Sequence, residues 1–256
     1  MTATDFALLI ASGLAAGFIN AVSGGGAMLT LPALIFIGLP PGVANGTNRI
    51  AVVAQNIAAI AAYRRLQVTG YRLAFSLSVP ATIGGVCGAL VSVRLDDALF
   101  RTILGIVMLL LIGPILIEPK LSNQAAMLER SLRPGWLLWL VFLGLGFYGG
   151  LLQVGVGIFI LVALNSLAGM GLVAANGVKV VVVLCLTLLA LLVFMANSKV
   201  DWGVGLLMAT ANATGAWFGA YWGVRKGDYW IRVVLIATVI VMALQLLGVP
   251  SWIGMF

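Results

Sequence analysis

Apolar windows long enough to cross a lipid bilayer recur from one end of the chain to the other. They are Phe6–Val22, Val43–Tyr63, Arg72–Val93, Phe100–Ile117, Trp136–Leu152, Leu172–Met195, Gly203–Trp222 and Ile231–Leu247. A helix rises about 1.5 Å per residue, so roughly 20 apolar residues cross a ~30 Å hydrocarbon core. A soluble domain of 256 residues cannot hide a composition that is 62% apolar and only 8% charged, because surface area falls too slowly with size. The expected fold is therefore an all-α integral membrane protein. The expected location is a multi-pass position in the cell membrane, the inner membrane in bacteria.

Phe6–Val22 is not read as a cleaved leader. It has no basic segment before it, Asp5 being the only early charge, and it takes part in the internal repeat described next. The net charge of +7 does not imply nucleic acid. Most basic residues fall in short loops, where they set orientation and meet anionic lipid headgroups. Cys87 and Cys185 lie in different apolar segments at positions that do not correspond in the repeat, and are read as packing residues.

Shifting the chain by 131 positions aligns its halves without a gap. Gly13 and Leu14 fall on Gly144 and Leu145, Gly24 and Gly26 on Gly155 and Gly157, and Ala44-Asn45-Gly46 on Ala175-Asn176-Gly177. Gly84, Gly88 and Ala89 fall on Gly215, Gly219 and Ala220, and Arg94 and Arg101 on Arg225 and Arg232. The expected organisation is a first membrane repeat over 1–118, a connection over 119–135 and a second repeat over 136–256.

Each half also holds one short apolar piece, Ala27–Leu39 and Ile158–Met170. Thirteen residues make roughly 20 Å of helix, short of the hydrocarbon core, so each piece is a strained crossing or a re-entrant half-helix. Loop charge arbitrates. If the piece crosses, one side receives Arg64, Arg65, Arg72, Lys120, Arg130, Arg133, Arg225, Lys226 and Arg232, and the other only Arg94, Arg101 and Lys199. If it re-enters, the split falls to seven against five. The positive-inside rule favours the first arrangement. The expectation is two inverted repeats of about five apolar segments each, broken near residues 24–39 and 155–170, with both termini on the non-cytoplasmic side.

Inverted repeats interrupted by glycine at matching places are a signature of secondary transporters, whose substrate sites lie where half-helix ends meet. A helix that begins after Ser23-Gly24-Gly25-Gly26 leaves its first N–H groups unpaired, with the positive end of its dipole behind them. Gly155-Val156-Gly157 repeats the device. Close helix packing is the alternative use of these glycines. A second motif, Val43–Arg49 and its counterpart Ala174–Lys179, supplies Asn45, Thr47, Asn48 and Arg49 in one half and Asn176 and Lys179 in the other. Charges inside apolar segments are costly and usually functional, although both cations stand early enough in their spans to snorkel toward headgroups. Arg49 is the stronger candidate, because guanidinium grips an oxyanion at two points. Asn20, Gln55, Asn56, Gln153, Asn165, Ser166, Thr187 and Asn212 are read as interhelical hydrogen-bonding residues.

The chain has no histidine, and every Asp and Glu maps to a loop or segment end. No intramembrane acid is placed for a proton relay, no ligand set for a metal, and no base for a hydrolase. No cofactor and no metal are expected. The expected partners are a small anionic substrate and membrane lipids.

These motifs also carry a resemblance. The stretch from Asn20, NAVSGGGAMLTLPALIFIGLPPGVANGTNRIAV followed by Gln55-Asn56, resembles the N-terminal signature of the TauE/SafE family of sulfite and organosulfonate exporters. The second copy, GVGIFILVALNSLAGMGLVAANGVK from Gly155, resembles that family's C-terminal half, with Ala163 in place of Pro32 and Val178 in place of Thr47. The resemblance implies export of small sulfur-containing anions. A membrane scaffold without transport activity, and an uptake permease for the same anions, are the alternatives.

Overall fold

The computed structural model describes residues 2–68, 70–110 and 135–246, and all regular secondary structure among them is α-helix. The first half contains α1 (Ala3–Val22), α2 (Ala27–Phe36), α3 (Pro41–Arg65), α4 (Tyr71–Ser92) and α5 (Asp97–Leu110). The second contains α6 (Trp136–Leu151), α7 (Val156–Ala168), α8 (Leu172–Ala196) and α9 (Trp202–Leu246). The last helix is broken at Gly227, whose backbone is non-helical. Except for Gly135, the connection expected over 119–135 lies outside the described residues, as do Lys120, Arg130 and Arg133.

The 131-residue offset reappears in the helix bounds. Both ends of α8 lie at that distance from those of α3, and α9 begins at that distance from α4. Asp97, first in α5, corresponds to Asp228, just after the break in α9. The two carboxylates do the same work. Asp97 Oδ1 accepts from the Gly42 amide at 3.3 Å, while the Asp228 carboxylate accepts from the Leu172 and Val173 amides, both at 2.9 Å. Each caps the exposed N–H groups that open a long helix, where negative charge also suits the dipole. The first copy has one bond fewer because Pro41 occupies the Leu172 slot and has no N–H to donate.

Three helices, α1, α4 and α8, are long and apolar enough to cross a membrane by length and composition alone. The distribution of side chains is that of a lipid-embedded bundle. Trp136 is 76% exposed and Phe218 64%, whereas Arg49 is 0% exposed and Lys179 2%. A water-soluble core would reverse this. The chain is a multi-pass membrane protein. Cys87 departs from expectation: it is exposed on the outer face of α4 rather than packed inside, because the neighbouring Gly84 and Gly88, not Cys87, face α6.

Small residues let the helices touch. Gly84 and Gly88 lie against backbone at Leu143, Phe147 and Leu151 of α6, and Gly215 and Gly219 against Leu14 and Phe18 of α1. In both pairs position numbers rise together, so the partners run parallel. Helix α3 also runs with α9, since Thr47 Oγ1 accepts from Asp201 N at 2.9 Å and Gln55 Oε1 accepts from Asn212 Nδ2 at 3.2 Å. By contrast, α3 and α8 are antiparallel. Gly46, early in α3, lies against Lys199 beyond the end of α8, and Val68, beyond α3, lies against Gly177 early in α8. Two helices related by the sequence repeat thus point in opposite directions. Arg64 and Arg65 stand at one end of α3 and Lys199 at the other.

Candidate functional site

Short breaks fold α1 onto α2 and α6 onto α7. In each break one glycine takes a left-handed backbone, Gly24 at φ +88 and its repeat partner Gly155 at φ +66. A side chain there would add strain. The two turns meet. A Cβ built at Gly24 would stand 2.6 Å from Gly157 Cα, and one built at Gly157 would stand 2.6 Å from Gly24 Cα. Gly26 is pressed in the same way against the Ala16 backbone. Close packing is therefore one real use of these glycines.

A small cavity with a mixed polar and apolar lining lies at the crossing. First-turn residues Ala27 of α2 and Val156 and Gly157 of α7 line it, together with Asn20, Val52, Gln55, Asn56, Gln153, Lys179 and Val183. Two helix N-termini converge here. The Met28, Leu29 and Ile158 amides donate to the Gly25, Gly26 and Gly155 carbonyls, which leaves the amides of Ala27, Val156 and Gly157 as the first-turn donors at the crossing. Val52 and Val183 are repeat partners, so the cavity sits at the junction of the halves.

The two cations close helix C-termini at this junction. Lys179 Nζ donates to Asn20 O at 2.7 Å, to Ala21 O at 3.4 Å and to Asn176 Oδ1, while Asn176 Nδ2 donates to Val22 O at 2.8 Å. Together they satisfy the orphan carbonyls of α1. Arg49 does the same for α6. Its Nη2 donates to Gly149 O and Gly150 O, its Nη1 donates to Gln153 Oε1 at 2.7 Å, and its guanidinium lies 4.5 Å from the Phe194 ring centroid. Asn45 Nδ2 adds bonds to Leu151 O at 2.8 Å and Ser92 Oγ at 3.1 Å. A cation at a helix C-terminus is favoured by the dipole. Neither side chain snorkels; both turn inward.

Of the residues expected to bind, Gly157 and Lys179 line the cavity. Gly24, Gly25, Gly26 and Gly155 build the crossing around it, and Asn176 holds Lys179. Arg49 stands behind Gln153 and does not line the cavity. Thr47 faces the first turn of α9, Asn48 Oδ1 accepts from Thr30 Oγ1 at 2.7 Å, and Ser23 Oγ donates back to Ile19 O at 3.1 Å. Four amides assigned from sequence to helix contacts, Asn20, Gln55, Asn56 and Gln153, are cavity residues. One local signal marks Gln153. It has φ +64, rare for a residue other than glycine, and is held by Arg49 and by the bond from its Nε2 to Thr187 Oγ1 at 2.8 Å. Among the described residues, no three His, Cys, Asp or Glu side chains gather as a metal would require.

The profile of the family described as Sulfite exporter TauE/SafE matches residues 9–246. The chain belongs to the TauE/SafE family. Relatives agree at full length. A "Probable membrane transporter protein" of Haemophilus influenzae is 29% identical over 248 residues, 96% of each chain. Another, ORF9 of a Sinorhizobium species, is 28% identical over 97% of this chain and 96% of its own. A third, YfcA of Escherichia coli K12, is 29% identical over 94% of this chain and 91% of its own. No solved structure matches. Family and relatives together make this TauE/SafE chain a membrane transporter of a bacterial inner membrane.

Proposed function

We propose that the chain is a secondary transporter that exports small sulfur-containing anions, such as sulfite or organosulfonates, through the cavity at the Gly24–Gly157 crossing. The observation that carries this reading is the convergence of two helix N-termini on a cavity lined by Lys179 and amide side chains. N–H donors and a cation in a site shielded from water favour an oxyanion. The sulfur chemistry comes from the family description and not from the geometry. The halves are proposed to lie inverted across the membrane, with Arg64, Arg65, Arg72, Arg225 and Lys226 cytoplasmic and Lys199 opposite, as the antiparallel α3 and α8 suggest. Cysteine labelling that put Lys199 on the same side as Arg65 would defeat that arrangement.

Export is favoured over uptake by the absence of buried carboxylates among the described residues and of histidine in the sequence. Among the described residues, no buried carboxylate or imidazole is placed to carry a proton or hold a coupling cation. An anion leaving an inside-negative cell moves downhill by ~2.3 kcal/mol per charge per 100 mV, so efflux needs no coupling. The direct test is a screen of sulfite, sulfoacetate, taurine, sulfate and thiosulfate on purified protein, read as thermal stabilisation. Concentration-dependent stabilisation by at least one sulfur anion supports the proposal; no response to any of them contradicts it.

A further inference from the structure

We infer that the anion carried at the crossing is doubly charged. The inference rests on the proposed anion site and assigns the ligand's charge. Two cations, Arg49 and Lys179, are buried in the bundle, and the buried polar residues include no Asp or Glu among those described. Each cation meets a helix C-terminus, which offers about half a negative charge. The N-termini of α2 and α7 point to the same junction with about half a positive charge each, so the dipoles largely offset one another. About two positive charges remain in a medium where unpaired charge is costly. A monoanion would neutralise one of them; a dianion neutralises both.

Hydrogen bonding fits the same ligand. The three Lys179 contacts all go to protein oxygens, so that residue acts on a ligand mainly through its charge. Direct donors come from neutral groups. Gln55 is 2% exposed and lines the cavity, and its Oε1 already accepts from Asn212, leaving its Nε2 for the cavity. On the Arg49 side, Arg49 Nε and Asn48 Nδ2 are buried without a partner, so donor capacity remains there too.

Sulfate and methanesulfonate provide the probe pair, being tetrahedral and similar in size but differing by one charge. Isothermal titration calorimetry on the purified protein at matched ionic strength should give an affinity about tenfold or more higher for sulfate, as expected when the second ligand charge offsets a buried cation. Lys179→Arg should keep the preference, and Lys179→Gln should bring the two ligands close to parity. Should Lys179→Gln fail to fold, the wild-type ratio decides alone. Equal or tighter binding of methanesulfonate overturns the charge assignment while leaving the anion site standing. Binding of neither probe, nor of thiosulfate or any sulfonate, removes the site and this inference together.

Discussion

The two broken hairpins use one device with different chemistry. In the second half, Lys179 sits on the cavity wall and closes the end of α1. Its repeat position in the first half is Asn48, which bonds Thr30 instead, and the cation has moved one residue on to Arg49, behind Gln153. A one-residue displacement on a helix turns a side chain by about 100°. Both halves thus keep a buried cation at a helix C-terminus, but only one presents it to the cavity. Backbone architecture is duplicated, whereas the cavity-facing surface is specialised.

The largest effect is expected where the halves are most alike. Gly24→Val would place a side chain into the Gly157 backbone and force a β-branched residue to φ +88. The cost should be about 3 kcal/mol or more, seen as loss of folded protein in size-exclusion profiles. Gly38→Val, also at positive φ but with open space around its Cβ, should cost clearly less. Equal tolerance at both sites would mean that the crossing is not tight.

The cations should then separate. Arg49→Met strands the carbonyls of Gly149 and Gly150 and the Gln153 amide oxygen, and should lower stability by roughly 3 kcal/mol in thermal unfolding, while weakening anion binding less than Lys179→Met does, because Arg49 stands behind Gln153. Lys179→Met should weaken anion binding by about 1.5–3 kcal/mol, measured by calorimetry, with Arg94→Ala as an exposed control that leaves affinity unchanged. The reverse pattern, affinity lost with Arg49 and kept without Lys179, would exchange the roles of the two halves.

Much of the architecture was legible in the chain. The offset that aligns Ala44–Gly46 with Ala175–Gly177 also relates the bounds of α3 and α8. Glycine runs marked both breaks because few other residues permit a left-handed turn at a backbone crossing. The side-chain assignments were less accessible. Thr47 and Asn48 are adjacent, yet one faces α9 and the other α2, and sequence does not say which neighbour each will meet. Gln55 and Asn56 look like any amide within a span, and only the packing of α1, α7 and α8 around them makes a cavity. The carboxylate caps were also hidden, because each joins residues 55 or 56 positions apart.

Those caps give the smallest contrast. Asp228→Asn, which disturbs two bonds, should cost about 1 kcal/mol, and Asp97→Asn, which disturbs one, about half as much. Matched chemical denaturation of the two variants checks the order. Equal losses would mean that the missing amide at Pro41 has no energetic consequence.

An anion is expected to pass the crossing under the electrical potential alone, with Lys179 presented to it. Anion flux in proteoliposomes, with the potential clamped and no proton or sodium gradient, tests it most directly. Flux should follow the sign and size of the potential in the wild-type protein and fall at least tenfold in Lys179→Met, in keeping with the loss of the cation on the cavity wall. Flux that appears only with an imposed proton or sodium gradient, or that is unchanged in a folded Lys179→Met protein, would contradict the account.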